Sequence, residues 1–71
     1  MTQAQTCIVN GETTAIGGGG ITIAELLRRL GLTGRKIAVE KNGAIVSKSR
    51  HDTECIRGGD KLEVITAVGG G

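Results

Sequence analysis

Hydrophobic and polar residues along this 71-residue chain fall into short runs, most with a strand's spacing and one with a helix's. Residues 5–10 (QTCIVN) read as a strand. Asn10-Gly11 follows, and a two-residue Asn-Gly turn suits a hairpin because both central residues of a type I′ turn need positive φ. Residues 12–16 (ETTAI) read as the returning strand. Four glycines at 17–20 then form a flexible connection. The helix signal comes next. Ile23, Leu26, Leu27 and Leu30 fall at i, i+3, i+4 and i+7, which makes one apolar stripe. Thr22 and Glu25 sit at the N-cap and N3 positions of a capping box, with Ile21 and Leu26 placed to close a hydrophobic staple over it. Arg28 and Arg29 lie off the stripe near the C-terminal end, where cations suit the helix dipole, and Glu25 and Arg29 are a favourable i,i+4 pair. Gly31 or Gly34 supplies the stop.

Strand spacing then resumes. Residues 36–41 (KIAVEK) predict a third strand, Asn42-Gly43 a second tight turn, and residues 44–46 a short fourth strand. Residues 47–53 (SKSRHDT) show no period and predict a loop, at most with one helical turn. Residues 54–57 predict a short extended piece, and Gly58-Gly59-Asp60 another turn. Residues 61–68 (KLEVITAV) predict the last strand, with Leu62, Val64, Thr66 and Val68 on one side. Ile65 and Ala67 make its other side partly apolar, which suits a central strand. The order β-β-α-β-β-β predicts an α+β roll: a sheet of four to five strands with one helix packed on one face. A single domain over residues 1–68 is expected, with residues 69–71 as a flexible glycine tail.

Composition narrows the chemistry. The apolar set is Ile, Val, Leu and Ala, with no Phe, Tyr or Trp, so the chain has no aromatic stacking platform for single-stranded nucleic acid or a flat cofactor. The formal charge of +2 is spread among interspersed acids and bases, which argues against a nucleic-acid partner. No leader-like segment or bilayer-length apolar run is evident, so a cytoplasmic protein away from membranes is expected. Cys7 and Cys55 are too few for a disulfide scaffold or, even with His51, a structural zinc site, and both are expected as reduced thiols.

Candidate catalytic groups are sparse. The glycine run invites a phosphate-loop reading, but a P-loop needs Lys and Ser/Thr directly after its last glycine, and Ile21 stands there. The dinucleotide fingerprint needs a βαβ unit, whereas this run ends a hairpin. His51 beside Asp52, on a loop expected to be exposed, reads as a solvated pair rather than a catalytic base. No catalytic residue, bound cofactor or metal site is predicted, and the chain reads as a non-enzyme.

The last residues, AVGGG, are more informative. Glycine has no side chain, so an arm of Gly69, Gly70 and Gly71 can thread a channel too narrow for other residues. Residues 67–71 reach at most about 17 Å when extended. A carboxylate on Gly71 is unhindered, and once activated by another enzyme it can pass as an acyl group to a nucleophile.

Here the residues resemble the ThiS family of sulfur carriers, small ubiquitin-like β-grasp proteins. The resemblance rests on IVNGE (8–12), TIAELLRRL (22–30), IAVEKNGAIV (37–46), SRH (49–51) and GDKLEVITAVGGG (59–71). The four-glycine loop is richer in glycine than the family pattern. What the resemblance implies is a β-grasp fold and a carrier in thiamine biosynthesis. The family's terminal glycine carboxylate, carried over onto Gly71, is adenylated with ATP by an E1-like adenylyltransferase (ThiF-type) and becomes a thiocarboxylate. The sulfur comes indirectly from a cysteine desulfurase and goes to a ThiG-type thiazole synthase. Gly69 and Gly70 take the part of the narrow arm. The exposed face around the last strand, with Glu63, Ile65 and Ala67, is the expected partner surface.

Three other readings share the tail or dispense with it. The small subunit of molybdopterin synthase has the same fold and a glycine tail, but that family is richer in aromatics. A modifier joined to protein lysines would leave Gly71 in isopeptide linkage. A plain interaction module would keep every activity without Gly71.

Overall fold

A computed structural model describes residues 5–32 and 36–66. The elements in order are β1 (Gln5–Val9), β2 (Glu12–Gly17), β3 (Ile21–Thr22), α1 (Ile23–Arg29), β4 (Ile37–Lys41), β5 (Ala44–Val46), a 3-10 turn at Lys48–Arg50, β6 (Cys55–Ile56) and β7 (Lys61–Thr66). Five strands form a mixed sheet in the order β2-β1-β7-β4-β5. Only β1 and β7 run parallel; the other neighbours are antiparallel. Both hairpins use the turn that the Asn-Gly pairs predict, with φ of 51° and 85° at Asn10 and Gly11 and 54° and 87° at Asn42 and Gly43.

Period-two burial places one sheet face under the helix. Cys7 and Val9 of β1, Ile16 of β2, Val39 of β4 and Leu62 and Val64 of β7 form one cluster with Ile23, Leu26 and Leu27 of α1 and Ile56 of β6. Cys7 is fully buried. Its thiol is pushed up by burial first and by the charge of Asp60 second, so it stays protonated.

The helix is shorter than its stripe. Thr22 caps it, its Oγ1 accepting from the Glu25 N–H at 3.1 Å. The reciprocal half of the predicted capping box is not made, because the Glu25 carboxylate turns to Arg28 at 2.9 Å and Arg29 at 3.2 Å. At the other end the Leu32 N–H donates to the Leu27 carbonyl and the Gly31 N–H to Arg28, a Schellman closure around Gly31 at φ 73°. Leu30 therefore becomes the C-cap and lies 41% exposed, while Leu32 packs on the core in its place.

Two expectations need correction. The glycine run is not a plain linker. It leads into β3, which pairs with β6 in a second, two-stranded sheet, and a Cβ added at Gly20 would stand 2.7 Å from the Ile56 carbonyl oxygen. His51 is not exposed. It is 7% accessible, and its Nε2–H donates to the Val46 carbonyl at 3.2 Å. The 3-10 turn folds residues 51–54 against the start of α1, where the Ile23 and Ala24 N–H groups donate to the Glu54 and His51 carbonyls. These are donors that a helix leaves without internal partners. The loop fills them with protein carbonyls, which removes the anion site that the glycine run suggested.

Candidate functional site

β7 is the middle strand of the sheet and leads towards the terminal glycines. On one side it pairs with β4 through five positions, from Lys41↔Leu62 to Ile37↔Thr66. On the other side β1 reaches only Ile8↔Lys61 and Val9↔Leu62. Two turn asparagines hold it further. The Asn42 Oδ1 accepts from the Lys61 N–H at 2.9 Å, and its Nδ2 donates to Asp60 at 3.1 Å. The Asn10 Oδ1 accepts from the Val64 N–H at 2.7 Å, and its Nδ2 donates to the Val64 carbonyl at 3.1 Å. Neither asparagine was singled out from the sequence for more than its turn. The signal available was that an Asn-Gly turn at a strand end carries an amide able to reach the next strand.

The face away from the helix carries Lys61, Glu63 and Ile65 of β7. Of the residues expected to meet a partner, Glu63 and Ile65 are exposed there, Ile65 by 56%. Ala67, Gly69, Gly70 and Gly71 lie outside the described residues. Beside Ile65 is a shallow, open groove of about 290 Å³ lined with Lys36, Ile37 and Ala38. Thr66, paired with Ile37, is the last described residue of β7, so the groove lies beside the end of the described strand. Glu63 stands directly across from Glu40, and Glu40 in turn across from Ile45, which is 77% exposed. Two carboxylates in direct opposition repel each other. Ile45 and Ile65 flank this carboxylate pair, and Lys61 stands two residues before Glu63 on the same face. Ile45 could have been found by counting strand alternation outward from the turn at Asn42.

Buried His51 and Cys7 serve the core, and exposed Cys55 donates weakly to the Thr53 carbonyl at 3.8 Å. Among the described residues no group of three or more His, Cys, Asp or Glu is placed to hold a metal ion. No helix among them is long and apolar enough to cross a membrane. What the described end of β7 offers is a braced strand beside an apolar groove.

Comparison with known proteins adds three findings. A family model described as the ThiS family matches residues 3–71. The chain is 41% identical over 64 residues to a thiazole synthase of Paramagnetospirillum magneticum, a stretch that is 90% of this chain and 19% of that protein. It is 38% identical over 52 residues to a thiazole synthase of Magnetococcus marinus, covering 73% of this chain and 16% of that protein. The chain thus spans less than a fifth of the length of the curated relatives it matches. Among solved structures, the crystal structure of the thiamine biosynthesis protein ThiS from Geobacter metallireducens superposes with a TM-score of 0.78 at 28% identity, covering 94% of this chain and 100% of that one. The strand order with its single parallel pair and one helix is the ubiquitin-like β-grasp of that structure.

Proposed function

The chain belongs to the ThiS family, and from this premise we propose that it is a protein-borne sulfur carrier for thiamine biosynthesis, with Gly71 as its reacting residue. A Gly71 carboxylate attacks the α-phosphorus of ATP in an E1-like adenylyltransferase, and pyrophosphate leaves. A sulfur nucleophile drawn indirectly from a cysteine desulfurase then displaces AMP, so that sulfur replaces one carboxylate oxygen. The thiocarboxylate is delivered to a thiazole synthase. The chain contributes the acyl group and the recognition surface, and its partners contribute the catalysis.

The observation that carries this reading is the family match running through residue 71, over a β7 that is braced up to Thr66. The two thiazole synthases support the choice of acceptor, because in each a segment similar to this chain forms part of one polypeptide with the rest of that protein. No such observation favours a pterin-linked donor or a lysine modifier. Gly69 and Gly70 form the arm that enters partner active sites. Glu63, Ile65 and Ala67 form the docking face, extended by Glu40, Ile45 and the groove beside Ile65.

Intact-mass spectrometry tests the reading. The chain with a free Gly71 carboxylate is incubated with ATP, sulfide and an E1-like adenylyltransferase, beside a chain lacking Gly71. The expected result is a mass gain of one oxygen exchanged for sulfur, absent from the shortened chain. An unchanged mass with an enzyme active on its own carrier would overturn the proposal.

A further inference from the structure

The two Asn-Gly turns are alike in sequence and backbone, yet their side chains grip β7 at different heights. Asn42 holds the first residue of the strand, and Asn10 holds Val64, two residues before the last described position. The register gives the second grip its meaning. The Asn42 N–H donates to the Lys61 carbonyl, so residues 61, 63 and 65 turn their N–H and C=O groups towards β4. The alternate residues 62, 64 and 66 turn theirs towards β1. There the Asn10 N–H takes the Leu62 carbonyl, and the backbone of β1 then curls away into its hairpin. The Asn10 side chain supplies the next rung, with one donor and one acceptor, as a strand residue would.

We propose, resting on the carrier reading above, that Asn10 is a positioning residue for the glycine segment. Its amide stands in for the missing strand on the β1 side of Val64 and so fixes the direction in which β7 delivers the chain beyond Thr66. Asparagine suits both tasks at this place. It tolerates φ of 51° better than other residues with side chains, and it carries a donor and an acceptor on a short stem. Without the amide, β7 is held past Leu62 on the β4 side alone. Residues 63–66 then sample more directions, and a partner that binds the tail must order them first.

Asn10→Gly isolates the effect, because glycine keeps the positive φ of the turn and removes only the clamp. Asn42→Gly is the matched control: it deletes a similar pair of hydrogen bonds at the far end of β7. Two readouts are needed, the KM and kcat for ATP-dependent adenylate formation by an E1-like enzyme, and hydrogen exchange of individual amides. In Asn10→Gly the KM for the carrier should rise about tenfold, the worth of two neutral hydrogen bonds, with kcat little changed. The Val64 amide should exchange faster, while those of core residues Ile23 and Val39 follow global stability. Asn42→Gly should leave the KM at the wild-type value. Equal KM values for the two variants would reduce Asn10 to a stability contact and overturn the proposal. A wild-type chain that forms no adenylate would instead remove the carrier reading, and the role of Asn10 with it.

Discussion

At the scale of single residues, small polar and glycine positions do more than the hydrophobic ones foretell. Asn10 and Asn42 were legible as turn formers, and their grips on β7 were not, because the strand they hold is distant in sequence. Gly20 is the sharper case. Its φ is 79°, and a side chain there meets the Ile56 carbonyl at 2.7 Å, a backbone atom that cannot swing aside. Gly17 has a similar φ of 84° with nothing within 4 Å of an added Cβ. Gly20→Ala is therefore expected to cost about 2–4 kcal/mol, conformational strain plus overpacking, and Gly17→Ala only about 1–2 kcal/mol. Urea unfolding of the two variants checks this. Equal losses would show that the approach of Gly20 to β6 is unimportant.

At the scale of elements, the connections are set by charge and hydrogen bonding. Lys41 joins β4 to the segment before β6 through Glu54 at 2.6 Å, and Arg50 reaches the same carboxylate at 3.1 Å. The hydrogen bond and charge of Lys41 hold Glu54 below the usual carboxylate range. Asp60 opens β7. Burial acts to raise its pKa, but this is outweighed by the Arg57 N–H at 2.9 Å, the Asn42 amide and the charges of Lys41 and Arg57, so the net shift is downward. Both groups bind a proton more readily unfolded than folded. Their contribution to stability is complete above the unfolded-state pKa values and disappears as the pH falls through the lower, folded-state ones. The urea midpoint should therefore be flat near neutrality and decline through and below the ordinary carboxylate range. Asp60→Asn should show a shallower decline than wild type. Parallel pH profiles for the two chains would remove Asp60 as a source of the dependence.

At the scale of the whole molecule, the sheet divides labour between its faces. One face holds the core under α1, and the other presents Ile45, Glu40, Glu63 and Ile65. If that outer face is where the adenylating partner docks, Ile65→Asp should lower kcat/KM for adenylate formation by about tenfold or more, as loss of an apolar anchor does, without unfolding the chain. Its exposure argues that the core will not notice the change. An unaltered kcat/KM would move the docking surface elsewhere and leave the role of Gly71 standing.

Local chemistry determined the elements. Period-two and period-3.6 spacing marked the strands and the helix, Asn-Gly pairs marked the turns, and Thr22 and the choice of Gly31 or Gly34 marked the helix ends, because each signal acts within a few residues of itself. The glycine run at 69–71 was equally plain as a sequence, and its proposed role rests on the family pattern. Tertiary structure decided what depended on distant partners. The stretch around His51 has the polarity of a solvated loop, yet it folds inward because the first N–H groups of α1 need carbonyls and residues 51–54 supply them. The two-residue strands β3 and β6 are too short to carry a period and exist through each other. Leu30 lost its place in the core when the Schellman closure brought Leu32 there instead. Asn10 met Val64 across 54 residues of sequence because β1 and β7 lie side by side, a neighbourhood that no local pattern encodes.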